Sequence, residues 1–181
     1  MTCIVALETP DGVWMGSDRM ASDPWQGIDL DHPKVFRNGS GMFGPCGSIR
    51  QAQLLRYALT LPEWSLGWDV DKWVAVDLTR AVLECVQGWQ YSKVDSGVAK
   101  SHNALFAIRG RCYELQSDYS FTRSRTGEYA CGSGQEYAMG ALYATRHLAD
   151  PEQRIHMALE AAAEHSPTVS GPFDIEHQER P

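Results

Sequence analysis

The stretch that decides the fold is Thr2-Cys3-Ile4-Val5-Ala6-Leu7, followed by Pro10-Asp11-Gly12 and Val13-Trp14-Met15-Gly16-Ser17. The first run is β-branched and apolar and predicts a buried strand that begins on a small residue. Pro-Asp-Gly is a turn signal. The second run predicts a partner strand, so the chain opens with a hairpin. Working outward, residues 23–33 are polar, carry Pro and Gly, and read as a loop. Lys34-Val35-Phe36 resumes extended structure. Asn38-Gly39 marks a second hairpin turn, with residues 41–44 as the returning strand.

Helical spacing then takes over. Residues 48–61 predict a helix with Ser48 as its N-cap, broken by Pro62. Residues 71–89 are the clearest helix, with Val74, Val76, Leu78, Val82 and Val86 apolar and an acidic start. Residues 91–101 read as a loop. Residues 103–108 and 111–115 predict a hairpin around Arg109-Gly110, and residues 129–131 a short strand. Two more helices are predicted over 134–147 and 151–164, with Pro151 in the first turn. Residues 169–175 suggest a last strand and 176–181 a frayed tail. Runs of strands alternating with pairs of helices predict a layered α+β domain with antiparallel sheets, one domain over residues 1–181.

Composition narrows the function classes. Hydrophobic residues are 43% and charged residues 22%, and the net charge is −7 with a pI near 5.3. That balance argues against nucleic acid as a partner, because no basic surplus exists to neutralise phosphates. No apolar run approaches the roughly 20 residues needed to span a bilayer, and the N-terminus lacks the features of a secretory signal. The expectation is therefore a cytoplasmic protein. Cys3, Cys46, Cys85, Cys112 and Cys131 are scattered, never spaced as CxxC, and read as reduced thiols. The histidines form no ligand pattern, so no metal and no cofactor are expected.

Four features near the front carry chemistry together. Thr2 follows the initiator methionine, and removal of Met1 would leave a nucleophilic hydroxyl beside its own α-amine. That amine has an unperturbed pKa of roughly 7.7–8.0 and can act as the base. Asp18, sixteen residues on, is either a turn carboxylate or the partner that orients a lysine near Thr2. Lys34, a further sixteen residues on, is either a solvated strand lysine or a positive charge lowering the proton affinity of the amine. Gly47, in Gly44-Pro45-Cys46-Gly47-Ser48, sits in a strand-to-helix turn. Its N–H is in principle placed to stabilise an oxyanion.

At these spacings the four resemble the proteasome β-subunit family, in particular its HslV-type peptidases. The matching residues are Thr2 to Ala6, Gly16-Ser17-Asp18, Lys34-Val35 and Cys46-Gly47-Ser48, with Gly132-Ser133-Gly134 ahead of a helix. The resemblance implies an N-terminal-nucleophile (Ntn) hydrolase, a four-layer αββα sandwich of two antiparallel sheets between helical layers. Its catalytic set would be Thr2, Asp18, Lys34, Gly47 and Ser133, with Ser133 bonded to the threonine amine or serving as a helix N-cap. The resemblance weakens after residue 164. Glu164 stands nearest to the family's aspartate, and Ser170 falls in a Ser-Gly turn; both are taken as supporting residues. Ala21, His32, Phe36, Cys46 and Arg50 are implied pocket residues.

The resemblance further implies cleavage of peptide bonds in peptides or unfolded polypeptides, a homo-oligomeric ring and a regulatory ATPase partner. Two other functions remain in view: a catalytically silent ring or scaffold subunit, and an Ntn amidase acting on a small amide. Cys3 reads as a buried core thiol and not a nucleophile. Trp14 and Trp73 read as core residues, and Trp25, Trp64, Trp68 and Trp89 as loop residues suited to subunit contacts.

Overall fold

The computed structural model describes residues 2–22, 27–65, 67–91, 93–95 and 98–181. Met1 and Trp25 lie outside the described residues. The opening hairpin forms as the sequence predicts: β1 (Cys3–Thr9) pairs antiparallel with β2 (Gly12–Asp18). β1 also pairs on its other side with β12 (Glu128–Gly132), and β2 with β13 (Phe173–Glu179). The resulting sheet has the order β12-β1-β2-β13.

A second antiparallel sheet is built from β5 (Phe36–Asn38), β6 (Gly41–Pro45), β9 (Ala104–Ile108), β10 (Arg111–Leu115) and β11 (Phe121–Thr122). Its order is β11-β10-β9-β6-β5. The two sheets face each other across Ile4, Ala6, Val13 and Met15 on one side and Met42, Leu105, Ala107 and Cys112 on the other. The alternate residues of β1, namely Cys3, Val5 and Leu7, point the other way. They pack under α4 (Gln135–Ala144) and α5 (Pro151–His165). Similarly Ala104, Phe106 and Ile108 pack under the helices on the outer side of the second sheet, α1 (Ile49–Tyr57), α2 (Val70–Trp73) and α3 (Thr79–Gly88). Both faces of the central strands are covered. That is why β1 reads as an unbroken apolar run and not as an alternation. The architecture is α+β, two antiparallel sheets between two helical layers.

The helix expected over 71–89 holds a π-helical stretch, Val74–Leu78, between α2 and α3. Its buried residues Val74, Leu78, Val82 and Val86 recur every fourth position, slower than the 3.6-residue α turn. A wider turn offsets that drift, and the Thr79 hydroxyl donates to the Val74 carbonyl at 3.0 Å. Val76, apolar like these four, is 43% exposed. Trp73 is buried, whereas Trp14 is half-buried and stacks on His177.

Two loop expectations and the frayed tail are corrected, and one strand is added. The 23–33 segment contains β4 (Gly27–Asp29), paired with β3 (Met20–Ser22). The 91–101 segment contains β7 (Lys93–Asp95) and β8 (Val98–Lys100). Such three-residue strands are too short to show a hydrophobic period. β11 is shorter still and was not expected. Finally, 176–181 is not frayed. β13 runs to Glu179, the Gln178 amide donates to Ser40 and Ala107 carbonyls, and the Arg180 N–H donates to Asp11. Backbone pairing along the exposed edge of β2 holds this polar strand, and backbone pairing leaves no apolar pattern in sequence.

Candidate active site

Thr2 sits at the mouth of the sheet sandwich because β1 is central in its sheet. The Thr2 carbonyl accepts from Ser133 N–H at 2.8 Å, and Cys3 pairs with Gly132. Gly132 has φ +100°, and a Cβ there would stand 2.0 Å from the Thr2 carbonyl oxygen. Only glycine permits this approach.

Beneath Thr2 lies a buried ion pair. Asp18, fully buried at the end of β2, accepts from the Cys3 N–H at 2.9 Å and from Met20 N–H at 3.1 Å. Both its oxygens accept from Lys34 Nζ, at 2.8 and 2.9 Å, and Lys34 also donates to the Met20 carbonyl. Four donated bonds define an ionised carboxylate. Burial pushes the Asp18 carboxyl above the usual carboxylate range against the pull of Lys34, and burial lowers the lysine against the pull of Asp18. The geometry favours the charged pair, with burial making each charge costly without the other.

Gly47 faces Thr2 from the turn before α1. Its φ is +95°, and a Cβ there would lie 2.7 Å from His102 Nδ1. Buried Gln51 fixes that neighbour: its amide oxygen accepts from the His102 N–H at 2.9 Å and from the Ser101 hydroxyl at 2.7 Å, and its nitrogen donates to the His102 carbonyl. Ser48 caps α1 through the Gln51 N–H, as its sequence position predicts, and its hydroxyl meets the Tyr91 hydroxyl at 2.5 Å.

Thr2, Lys34 and Gly47 line one cavity of about 400 Å³. Ala21 and His32 line it as well, but the other three expected pocket residues, Phe36, Arg50 and Cys46, do not. Phe36 is buried under the helices, stacked on Phe43, because alternation along the strand turns Val35 to the sheet interface and Phe36 to the opposite face. Arg50 is exposed, with its guanidinium 5.4 Å from the Trp89 ring centroid. The α1 face that lines the cavity is instead Ile49, Ala52, Gln53 and Arg56. Their spacing of i, i+3, i+4 and i+7 was the available signal. Cys46 lines a second, smaller cavity with Thr2, Gly47 and Ser133, and its sulfur lies 2.7 Å from Cys131.

Ser133 does not cap α4. Gly134 holds that position without a side-chain bond. The Ser133 hydroxyl donates to the Thr2 carbonyl at 3.3 Å and meets the Thr168 hydroxyl at 2.8 Å, which in turn meets Ser166 at 3.1 Å. Glu164 is exposed, and Ser170 bonds the Met20 sulfur. After α5, therefore, hydroxyls and not a carboxylate reach the Thr2–Ser133 junction. Cys3 is buried under α5, and burial, with Asp18 and Cys46 adding to it, pushes its thiol up to about 12. A thiol held protonated in this way is inert at neutral pH. Among the described residues no group of three or more His, Cys, Asp or Glu is placed to hold a metal ion, and no helix is long and apolar enough to cross a membrane.

No family model matches the sequence, and no curated protein matches it. Solved structures do match. BPH from Thiobacillus denitrificans superposes with a TM-score of 0.84 at 19% identity, covering 99% of each chain, and with 0.81 in its complex with epoxomicin. Eukaryotic HslV from Trypanosoma brucei gives 0.70 at 20% identity, covering 98% of this chain and 99% of that one. Anbu, the ancestral beta-subunit, from Yersinia bercovieri gives 0.68 at 15% identity over 97% of this chain and 81% of that one. The fold is thus the proteasome-like, HslV-type Ntn fold.

Proposed function

We propose that this chain is a threonine-type peptidase whose nucleophile is Thr2 after removal of Met1. The observation that carries the reading is the convergence of Thr2, Lys34 and Gly47 on one cavity, with Asp18 holding Lys34 from below. The Thr2 hydroxyl oxygen attacks the scissile carbonyl carbon, and its proton passes to the α-amine. The Gly47 N–H stabilises the resulting oxyanion. The amine returns the proton to the departing peptide nitrogen as the C–N bond breaks, leaving an ester on Thr2. Water, deprotonated by the same amine, then hydrolyses the ester. The Lys34 charge favours the neutral amine and the incipient alkoxide. Ser133, at the Thr2 carbonyl, keeps the terminus in register.

The test combines intact-protein mass with hydrolysis of a fluorogenic peptide panel by wild type and Thr2→Ala. The expected result is loss of Met1, turnover by wild type and none by the variant. Because BPH is known bound to epoxomicin, that compound is a second probe: an adduct is expected on wild type and not on Thr2→Ala. Equal turnover by both proteins rejects Thr2. One observation favours a silent ring subunit as the second reading, namely that Glu164 is exposed where the resembling family carries an aspartate. A mass that retains Met1 supports it. The amidase alternative gains nothing from Cys3, whose thiol is buried and protonated.

Assembly into a homo-oligomeric ring, with an ATPase delivering unfolded substrate, belongs to the same proposal. Exposed Tyr137, Met139 and Tyr143 on α4 and Met157 on α5 support self-association.

A further inference from the structure

Among the described residues, the cavity beside Thr2 is lined by basic side chains and no acidic ones, in a chain that is acidic overall. The sequence carries a net charge of −7. Yet the described residues lining this cavity include Lys34, Arg56, His32 and His102 and no Asp or Glu. Lys34 is held by Asp18, and His32 Nδ1 lies 2.5 Å from Asp31. His102 packs against Gly47.

Arg56 differs. Its guanidinium sits 4.4 Å from the Phe36 ring centroid and donates to the Pro33 carbonyl. It is half-buried, and among the described residues no carboxylate pairs with it. Half-buried Arg19 and Arg154, by contrast, each reach a carboxylate at 2.6 Å. Half-buried Arg109 likewise has no carboxylate among the described residues, but it stacks on Trp64 away from this cavity. A guanidinium oriented by an aromatic face and a carbonyl is preorganised, and its remaining N–H donors suit a planar carboxylate.

We propose that the cavity selects substrates with a carboxylate on one of the three residues preceding the scissile bond, and that Arg56 is the residue that reads it. This rests on the peptidase reading above. The reach follows from the helix. α1 rises about 10 Å between Ile49, near Gly47, and Arg56, roughly three residues of extended peptide. Ile49 and Ala52 supply an apolar wall for the side-chain stem. The negative net charge of the chain repels acidic peptides at long range, so the selectivity is local and weakens with added salt.

The decisive measurement compares kcat/KM for peptide pairs that differ only as Glu or Gln at each of those three positions. One position is expected to favour Glu on the order of tenfold, the worth of a charge-assisted bond. Arg56→Gln should bring that ratio close to one. Arg56→Glu should invert the preference so that Lys outruns Gln there, a gain that a misfolded protein cannot show. A wild-type ratio near one at all three positions overturns the proposal. A binding arm separates it from the peptidase reading: fluorescence anisotropy of the same labelled peptides on Thr2→Ala. Tighter Glu binding that Arg56→Gln abolishes supports the proposal even if no peptide is cleaved. Equal binding of Glu and Gln peptides overturns it even if cleavage is seen.

Discussion

At the residue scale, the Asp18–Lys34 pair sets the sharpest expectations. Both side chains are buried, and each is the main compensation for the other's charge. Asp18→Asn should therefore destabilise the fold by about 3–5 kcal/mol, the usual cost of stranding one partner of a buried pair. Urea unfolding of Asp18→Asn, Lys34→Met and the double variant checks this, with the double variant expected to be less damaged than the two singles summed. The same pair governs pH dependence. The proposed base is a neutral amine, so kcat/KM should rise with pH through the amine's pKa, roughly 7.7–8.0 when unperturbed and lower beside Lys34. In Lys34→Met that limb should move to higher pH. A limb that does not move would remove Lys34 from the proton chemistry. Gly47→Ala adds a Cβ at φ +95° against His102. It is expected to lower kcat on the order of a hundredfold, the scale of a lost oxyanion donor, with a smaller change in KM. Stopped-time assays across substrate concentrations separate the two.

At the element scale, Glu128 of β12 clamps the first sheet to its helices. It is buried and receives two side chains, Arg146 after α4 and Arg154 of α5, while Arg154 also donates to the Leu142 carbonyl. Burial alone would raise the Glu128 carboxyl, but the two arginines hold it below the usual range. A folded value below the unfolded one gives stability that is present above the unfolded pKa and lost as pH falls through the folded one. Glu128→Gln should cost about 1–3 kcal/mol at neutral pH, and the gap to wild type should close on acidification. Thermal melts at pH 7 and pH 3.5 read both. This clamp was invisible in sequence, since residues 128, 146 and 154 lie on three separate elements. What was legible was local: the apolar run of β1, the Asn38-Gly39 turn, the Ser48 cap and the four helical periods. The candidate cavity was legible at Thr2, Lys34 and Gly47, with Asp18 bonded to Lys34 beside it, because a family's spacing carries them together. It was misread at Phe36 and Arg50, whose facing depends on strand alternation and helix phase. It was missed at Gln51, His102 and Thr168, which act through bonds between segments far apart in the chain.

At the scale of the whole molecule, the exposed apolar residues of α4 and α5 predict a self-associated species in solution. Light scattering should give a mass several times that of the 20.2 kDa chain. Tyr143→Glu, placed where the side chain is 68% exposed, should lower that mass without unfolding the subunit. A wild-type monomer at micromolar concentration would defeat the ring expectation while leaving the proposed chemistry of Thr2 untouched.

Chain termini are ordinarily the loosest part of a domain. Here β1 begins one residue after the proposed nucleophile and is paired on both sides, by β12 and by β2. The amides of Ile4, Val5 and Ala6 should therefore exchange with deuterium only through opening of the entire subunit, at the slow end of the molecule's range. The proposed nucleophile thus inherits the rigidity of the sheet that carries it.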